Sequence, residues 1–244
     1  MQDQRNRPRR GALRTLTVIA LLAASPAPSR ANAATRGYTI TSFDAIRVDA
    51  PVTVLLTTGT GASARAEGDQ ALLDRLTVAV SGRLLSIGLI RPRPGEKSGG
   101  AATLRLSTGD LNRVVLTGGG SVTINRMKGL RGDIVLGGNG DVTVAAVDLD
   151  RIEVALAGGG RATLNGRAGV ANIRVNGPGA VAASGLRARQ ATLGNDGPGS
   201  IAIAADVTAK IVSTGSGDVT VTGAAACTVD NRGTGRIACG GEDY

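Results

Sequence analysis

The sequence predicts an all-β protein, a right-handed parallel β-helix (β-solenoid) with coils of about 18 to 20 residues. Three observations predict it. Glycine pairs of the form G-x-G begin at Gly118, Gly138, Gly158, Gly177, Gly197, Gly215 and Gly233, at successive spacings of 20, 20, 19, 20, 18 and 18 residues, a fixed-period self-similarity. Apolar residues recur at set offsets from each pair. The segments after each pair alternate apolar and polar with period two, which is strand geometry and not helix geometry.

The segment 1–33 comes first. It runs from a basic stretch (MQDQRNRPRRGALRT) through the apolar run Leu16 to Ala24 to Ala31-Asn32-Ala33. This order is that of a secretory signal peptide cleaved between Ala33 and Ala34. The apolar run is too short to cross a bilayer, which takes about 20 residues. Arg9-Arg10 also allows twin-arginine export. Cleavage removes six Arg and one Asp, which leaves 22 basic and 18 acidic residues in 211, net +4. The remaining 34–244 is read as one β-helix domain, with irregular N-terminal coils and a cap over 38–106 and regular coils over 107–244.

Within 38–106, "IRVDAPVTVLLTTG", "LTVAVSGRLLSIGLI" and "ATLRLS" alternate as strands. Between the first two, "EGDQALLDRL" has the spacing of one short helix with Leu72, Leu73 and Leu76 on one side. A polar Pro/Gly loop, "RPRPGEKSGG", follows. A solenoid needs an end that hides its core, and this region is expected to supply it.

From 107 onward each unit reads strand, glycine corner, strand and return segment. Four residues before the first glycine stand Val114, Ile134, Val154, Ile173, Leu193, Ile211 and Val229. Four after it come Val122, Val142, Ala162, Val181, Ile201, Val219 and Ile237, and six after it Ile124, Val144, Leu164, Ala183, Ile203, Val221 and Cys239. The third position carries Ser121, Asp141, Arg161, Ala180, Ser200, Asp218 and Arg236, expected to face solvent. The corner glycines are expected to supply φ > 0 for a tight reversal. A hairpin corner in an antiparallel sandwich is the competing arrangement. Because the columns match in phase from unit to unit, equivalent positions are expected to stack as parallel strands, and parallel crossovers are right-handed. Cys227 and Cys239 lie six residues either side of Gly233, in the inward phase of the last coil, and are expected to form a disulfide in an exported protein.

The run Phe43-Asp44-Ala45-Ile46-Arg47-Val48, then "PVTVLLTTG", "EGDQALLDRLTV" and "GRLLSIGL", followed by the G-x-G units, resembles the bacterial "putative auto-transporter adhesin, head GIN domain" family over roughly Phe43 to Gly240. The resemblance implies an exported β-helical domain of the cell envelope with an adhesin-like role. It brings no catalytic residues.

The composition excludes several function classes. Histidine is absent, so Ser-His-Asp and Cys-His arrangements cannot be assembled. Tyr38, Phe43 and Tyr244 are the only aromatics, too few for a nucleic-acid stacking platform. The acidic candidates for glycan chemistry are Asp133, Asp141, Asp148, Asp150, Glu153 and Asp218; at Asp141 and Asp218 ordinary turn chemistry accounts better for the residue. "GGNGDVTV" departs from the calcium nonapeptide in both aspartate position and period. A row of Thr123, Thr143, Thr163, Ala182, Ala202, Thr220 and Ala238 suits exposed strand positions. Arg161, Arg174, Arg236 and "GLRARQ" interleave with acids as a solvated surface does. The expectation is a non-enzymatic envelope module, periplasmic or at the cell surface, with an envelope glycan or surface protein as partner, no nucleic acid, and no cofactor or metal. A polysaccharide-acting β-helix enzyme is the alternative.

Overall fold

The computed structural model describes residues 33–95 and 100–244. The signal-peptide reading therefore lies outside the described residues except for Ala33 and Ala34. No helix among the described residues is long and apolar enough to cross a membrane.

Among the described residues, eighteen strands and one short helix form a β-solenoid of about six turns with coils of about 20 residues. In chain order these are β1 (Ala34–Tyr38), β2 (Ala45–Val48), β3 (Thr53–Thr58), β4 (Ser63–Gly68), α1 (Gln70–Arg75), β5 (Leu76–Ser81), β6 (Leu84–Leu89), β7 (Ala102–Thr108), β8 (Arg113–Leu116) and β9 (Ser121–Ile124). Then come β10 (Met127–Leu136), β11 (Asp141–Leu156), β12 (Arg161–Val175), β13 (Ala180–Asn195), β14 (Ser200–Ser213), β15 (Val219–Thr222), β16 (Ala226–Asn231), β17 (Ile237–Cys239) and β18 (Glu242–Asp243).

Pairing from β8 to β17 is parallel, in the register the columns require. Val114, Ile134, Val154, Ile173, Leu193, Ile211 and Val229 lie opposite one another in succession. So do Val122, Val142, Ala162, Val181, Ile201, Val219 and Ile237. All of these are buried except Val229, which is half-buried in the last coil. The return segment differs from expectation. It is itself stranded: β11 runs from one glycine corner to the next across 16 residues, and its middle, Val147–Leu149, pairs with β10 and β12. Each regular coil thus has three walls, which we call A (before the corner), B (after it) and C (the return).

The corner glycines are needed for a different reason from the expected one. None of the seven has φ in the left-handed region; within the regular coils positive φ falls instead at Gly129, Gly166 and Gly223 on the third wall and its bends, and at Gly240 and Gly241 in the final turn. A Cβ on Gly158 would instead lie 2.2 Å from the carbonyl oxygen of Gly138, and one on Gly215 would lie 2.0 Å from that of Gly197. Successive corners stack backbone on backbone, and no side chain fits between them. The earliest corner, Asp49-Ala50-Pro51, carries no glycine. On its other side β6 ends at Leu89 and β7 begins at Ala102.

Order in space departs from order in sequence at the N-terminal end. β2 lies between β6 and β8, and β3 between β7 and β9, all parallel. The first coil in the chain is therefore second in the stack. The chain leaves it through β4, α1 and β5, lays down the outermost coil as β6 and β7, and crosses back over residues 109–112. Antiparallel strands finish this end: β4 on β7, β1 on β4, and β5 on β6. Helix α1 is N-capped by Asp69, whose carboxylate accepts from the Leu72 amide at 3.2 Å, and it buries Leu72 and Leu73.

Candidate functional site

The crossover that reorders the coils also opens the wall of the solenoid. The β10 segment Met127–Gly132 begins the C wall, and it pairs with β11 on one side. On the other side no described strand pairs with it before Asp133, where β8 begins. The cause is the topology: β3 turns away into β4, and the next chain to pass is the crossover 109–112.

Two sets of hydrogen bonds hold the gap open at its ends. At one end the Asn125 carboxamide oxygen accepts from the backbone amides of Thr58 and Arg126, each at 2.8 Å, and the Thr58 hydroxyl donates to the Arg126 carbonyl at 2.9 Å. At the other end the Asp133 amide donates to the Asn112 carbonyl at 2.8 Å. Between them lies a cleft in two adjoining parts of about 580 and 400 Å³ that share Asp110, Leu111 and Lys128. Leu111 is buried beneath it, and Leu130 stands at its rim 79% exposed.

The cleft is polar and unevenly charged. Arg83 pairs with Asp44 at 2.5 Å. Arg131 contacts Asp133 at 3.1 Å and Glu153 at 2.9 Å, and these carboxylates raise its pKa, the hydrogen bond to Asp133 first. Arg113, Arg126 and Lys128 make no salt bridge among the described residues; the latter two act on Asp148 at longer range. A smaller depression of about 340 Å³ on the C wall holds Asp148 with Arg167 at 2.8 Å and Arg187 with Asp206 at 3.6 Å. The hydrogen bond from Arg167 is the main cause holding the Asp148 carboxyl below its ordinary pKa. On the B wall Thr123, Thr143 and Thr163 are adjacent in register.

The acids singled out in the sequence do not converge into a catalytic pair. Asp133 and Glu153 share Arg131, Asp148 is bound by Arg167, and Asp218 accepts from the Arg236 amide at 2.9 Å. Asp141 and Asp150 are exposed on different walls. Among the described residues no group of three His, Cys, Asp or Glu could hold a metal ion. Cys227 and Cys239 form a disulfide across the last coil, with Cα atoms 6.3 Å apart. The seven corner glycines form a buttress, with no open site at any of them. Ala34 is the first residue of β1, and Ala33, just before it, is exposed.

Sequence reading missed Asp110, Leu111, Lys128 and Leu130. The only signal was a loss of the repeat phase before 113, and it did not show which neighbour would be missing. Reading the inner columns also missed a polar stretch two residues before the corner glycine. There Leu116, Leu136, Leu156 and Val175 give way to Asn195, Ser213 and Asn231 in register. Asn195 is fully buried and donates to the Gly199 and Gly217 carbonyls, each at 2.9 Å.

The model of the family described as "Putative auto-transporter adhesin, head GIN domain" matches residues 42–225. Among solved structures, a putative adhesin from Bacteroides fragilis NCTC 9343 superposes with a TM-score of 0.75 at 22% identity, over 84% of this chain and 96% of that one. A putative lipid binding protein from Parabacteroides distasonis ATCC 8503 gives 0.67 at 21% identity, over 86% and 97%. A putative adhesin from Parabacteroides merdae ATCC 43184 gives 0.62 at 19% identity, over 86% and 96%. At these identities the likeness is one of fold. No curated protein sequence matches this chain.

Proposed function

The chain belongs to the "Putative auto-transporter adhesin, head GIN domain" family, and from that premise we propose that it is an exported, non-enzymatic β-solenoid of the bacterial envelope that works by binding a surface. Coils stacked in strict register make a stiff wall on which weak polar contacts repeat and add. The observation that carries this reading is the state of the carboxylates. Asp133, Glu153 and Asp148 are each engaged by an arginine, and the strongest local chemistry is paired charge on a rigid wall, which suits recognition better than proton transfer. A disulfide in the last coil favours an oxidising compartment, hence the periplasm or the cell surface.

The test is binding of the purified protein to envelope fragments and arrayed envelope glycans, measured beside its action on acidic polysaccharides. Saturable binding without depolymerisation is the expected result. Chain cleavage of a polysaccharide would establish the enzymatic alternative, and binding to neither would reduce the protein to a structural part.

A further inference from the structure

From the half-paired rung in the solenoid wall we propose that the cleft receives an extended, acidic peptide segment of a partner protein, which adds as a strand to the free edge of β10. This rests on the surface-binding reading and supplies a ligand chemistry for it.

The first ground is backbone geometry. Edge strands present unpaired N–H and C=O groups, and adding a strand satisfies them. The alternation in β10 can be followed from its paired part. The amides of Asp133 and Gly137 donate toward the N-terminal side, to Asn112 and Leu116, whereas the Leu136 carbonyl accepts from Ala157 on the C-terminal side. In a parallel ladder alternate residues bond to opposite neighbours. Arg131, in phase with Asp133, therefore turns its backbone groups into the cleft. The free edge, Met127–Gly132, is about 20 Å long at roughly 3.3 Å per residue, a length for five or six extended residues.

The second ground is charge. Arg83, Arg113, Arg126, Lys128 and Arg131 line the two parts of the cleft against Asp44, Asp110 and Asp133. Arg113, Arg126 and Lys128 are in excess of the carboxylates within bonding distance. A strand with acidic side chains at alternate positions would meet them, and its other face would cover Leu130, the most exposed large apolar side chain among the described residues. Cationic side chains on an edge also deter pairing between copies of the same chain. They select for a partner of opposite charge.

The test uses the full protein and fluorescein-labelled octapeptides in anisotropy titrations at low salt. The first peptide alternates Glu and Val; the second has Lys for Glu; the third is the acidic sequence with alternate amides N-methylated. The acidic peptide is expected to bind at least about tenfold more tightly than either of the others, with an affinity that falls as salt rises. Arg126→Glu combined with Lys128→Glu is expected to weaken it about tenfold while leaving the urea midpoint unchanged. Amide exchange at 127–132 is expected to slow on binding. Equal binding of acidic and basic peptides, indifference to N-methylation, or protection elsewhere would overturn the proposal. So would self-association that protects the same residues, since the occupant would then be a second copy. If no peptide binds but envelope fragments still do, strand addition alone fails; if neither binds, the surface-binding reading fails with it.

Discussion

The two ends of the stack are closed by different means. At the N-terminal end, strands β1, β4 and β5 run antiparallel along the walls, and α1 places Leu72 and Leu73 over the core at 2% and 1% exposure. At the C-terminal end there is only the two-residue strand β18, antiparallel to β17, and a disulfide joining β16 to β17. In the last coils the column before the corner is polar, buried at Asn195 and Ser213 and exposed at Asn231, which donates to the Gly235 carbonyl as Asn195 does to that of Gly199. β16 keeps an outer edge, guarded by the Asp230–Arg232 pair at 2.8 Å. One end is thus hidden by burying apolar surface with a long excursion of chain. The other is held by a covalent link and side-chain hydrogen bonds within a short stretch of chain.

The largest expected effect tests whether both ends depend on the same unbroken corner stack. Gly215→Val would place a Cβ 2.0 Å from a neighbouring backbone oxygen that cannot move away. It should abolish folding or lower urea stability by more than about 4 kcal/mol. Gly119→Ala, at a position with nothing within 4 Å, should change it by less than about 0.5 kcal/mol. If both substitutions cost the same, backbone stacking is not what the glycines serve.

Leu73→Ala should cost about 2–5 kcal/mol by leaving a cavity in the N-terminal cap. The loss of amide protection should fall on β4 and β5 and spare β16 and β17. Removing the disulfide by Cys227→Ala with Cys239→Ala should cost about 3 kcal/mol for a loop of this length. Here exchange should quicken in β15 to β18 and leave the cap intact. Equal fraying at both ends in either variant would break the contrast between them. Asn195→Ala should cost about 1–3 kcal/mol, since it leaves two buried corner carbonyls without their donor.

The smallest effect is electrostatic. The Asp148 carboxyl is held low by Arg167. At Asp49 burial pushes upward, but hydrogen bonds from Arg47 and Thr117 outweigh it and leave the pKa lowered. A depressed folded-state pKa contributes stability above the ordinary carboxylate range that is lost as pH falls through the folded value. Asp148→Asn and Asp49→Asn should therefore lower stability slightly near neutrality and flatten its decline below about pH 4, as read from urea midpoints against pH. An unchanged acid limb would show these surface pairs to be energetically idle.

Much of the fold was legible because a solenoid repeats its contacts. Val114 through Val229 could be aligned from spacing alone, since each rung imposes the same inward phase on the next, and a short helix within "EGDQALLDRL" followed from the spacing of Leu72, Leu73 and Leu76. The candidate site was not legible. Lys128, Leu130 and Asp110 belong to no column, and their nearness arises because the chain lays its first coil second in the stack. The role of the buried Asn195 was not legible for a related reason: its partner carbonyl at Gly217 lies 22 positions away.

By itself the sequence determined the β class, the coil period and the inward columns, all of which depend on local alternation and on offsets that recur from coil to coil; it made a Cys227–Cys239 disulfide the expectation, and the structure shows it. Only the tertiary structure decided the order of the first coils, the form of the two ends and the free edge of β10. Those depend on which strand comes to lie beside which, and a non-repeating stretch of chain carries no periodic signal to specify a neighbour.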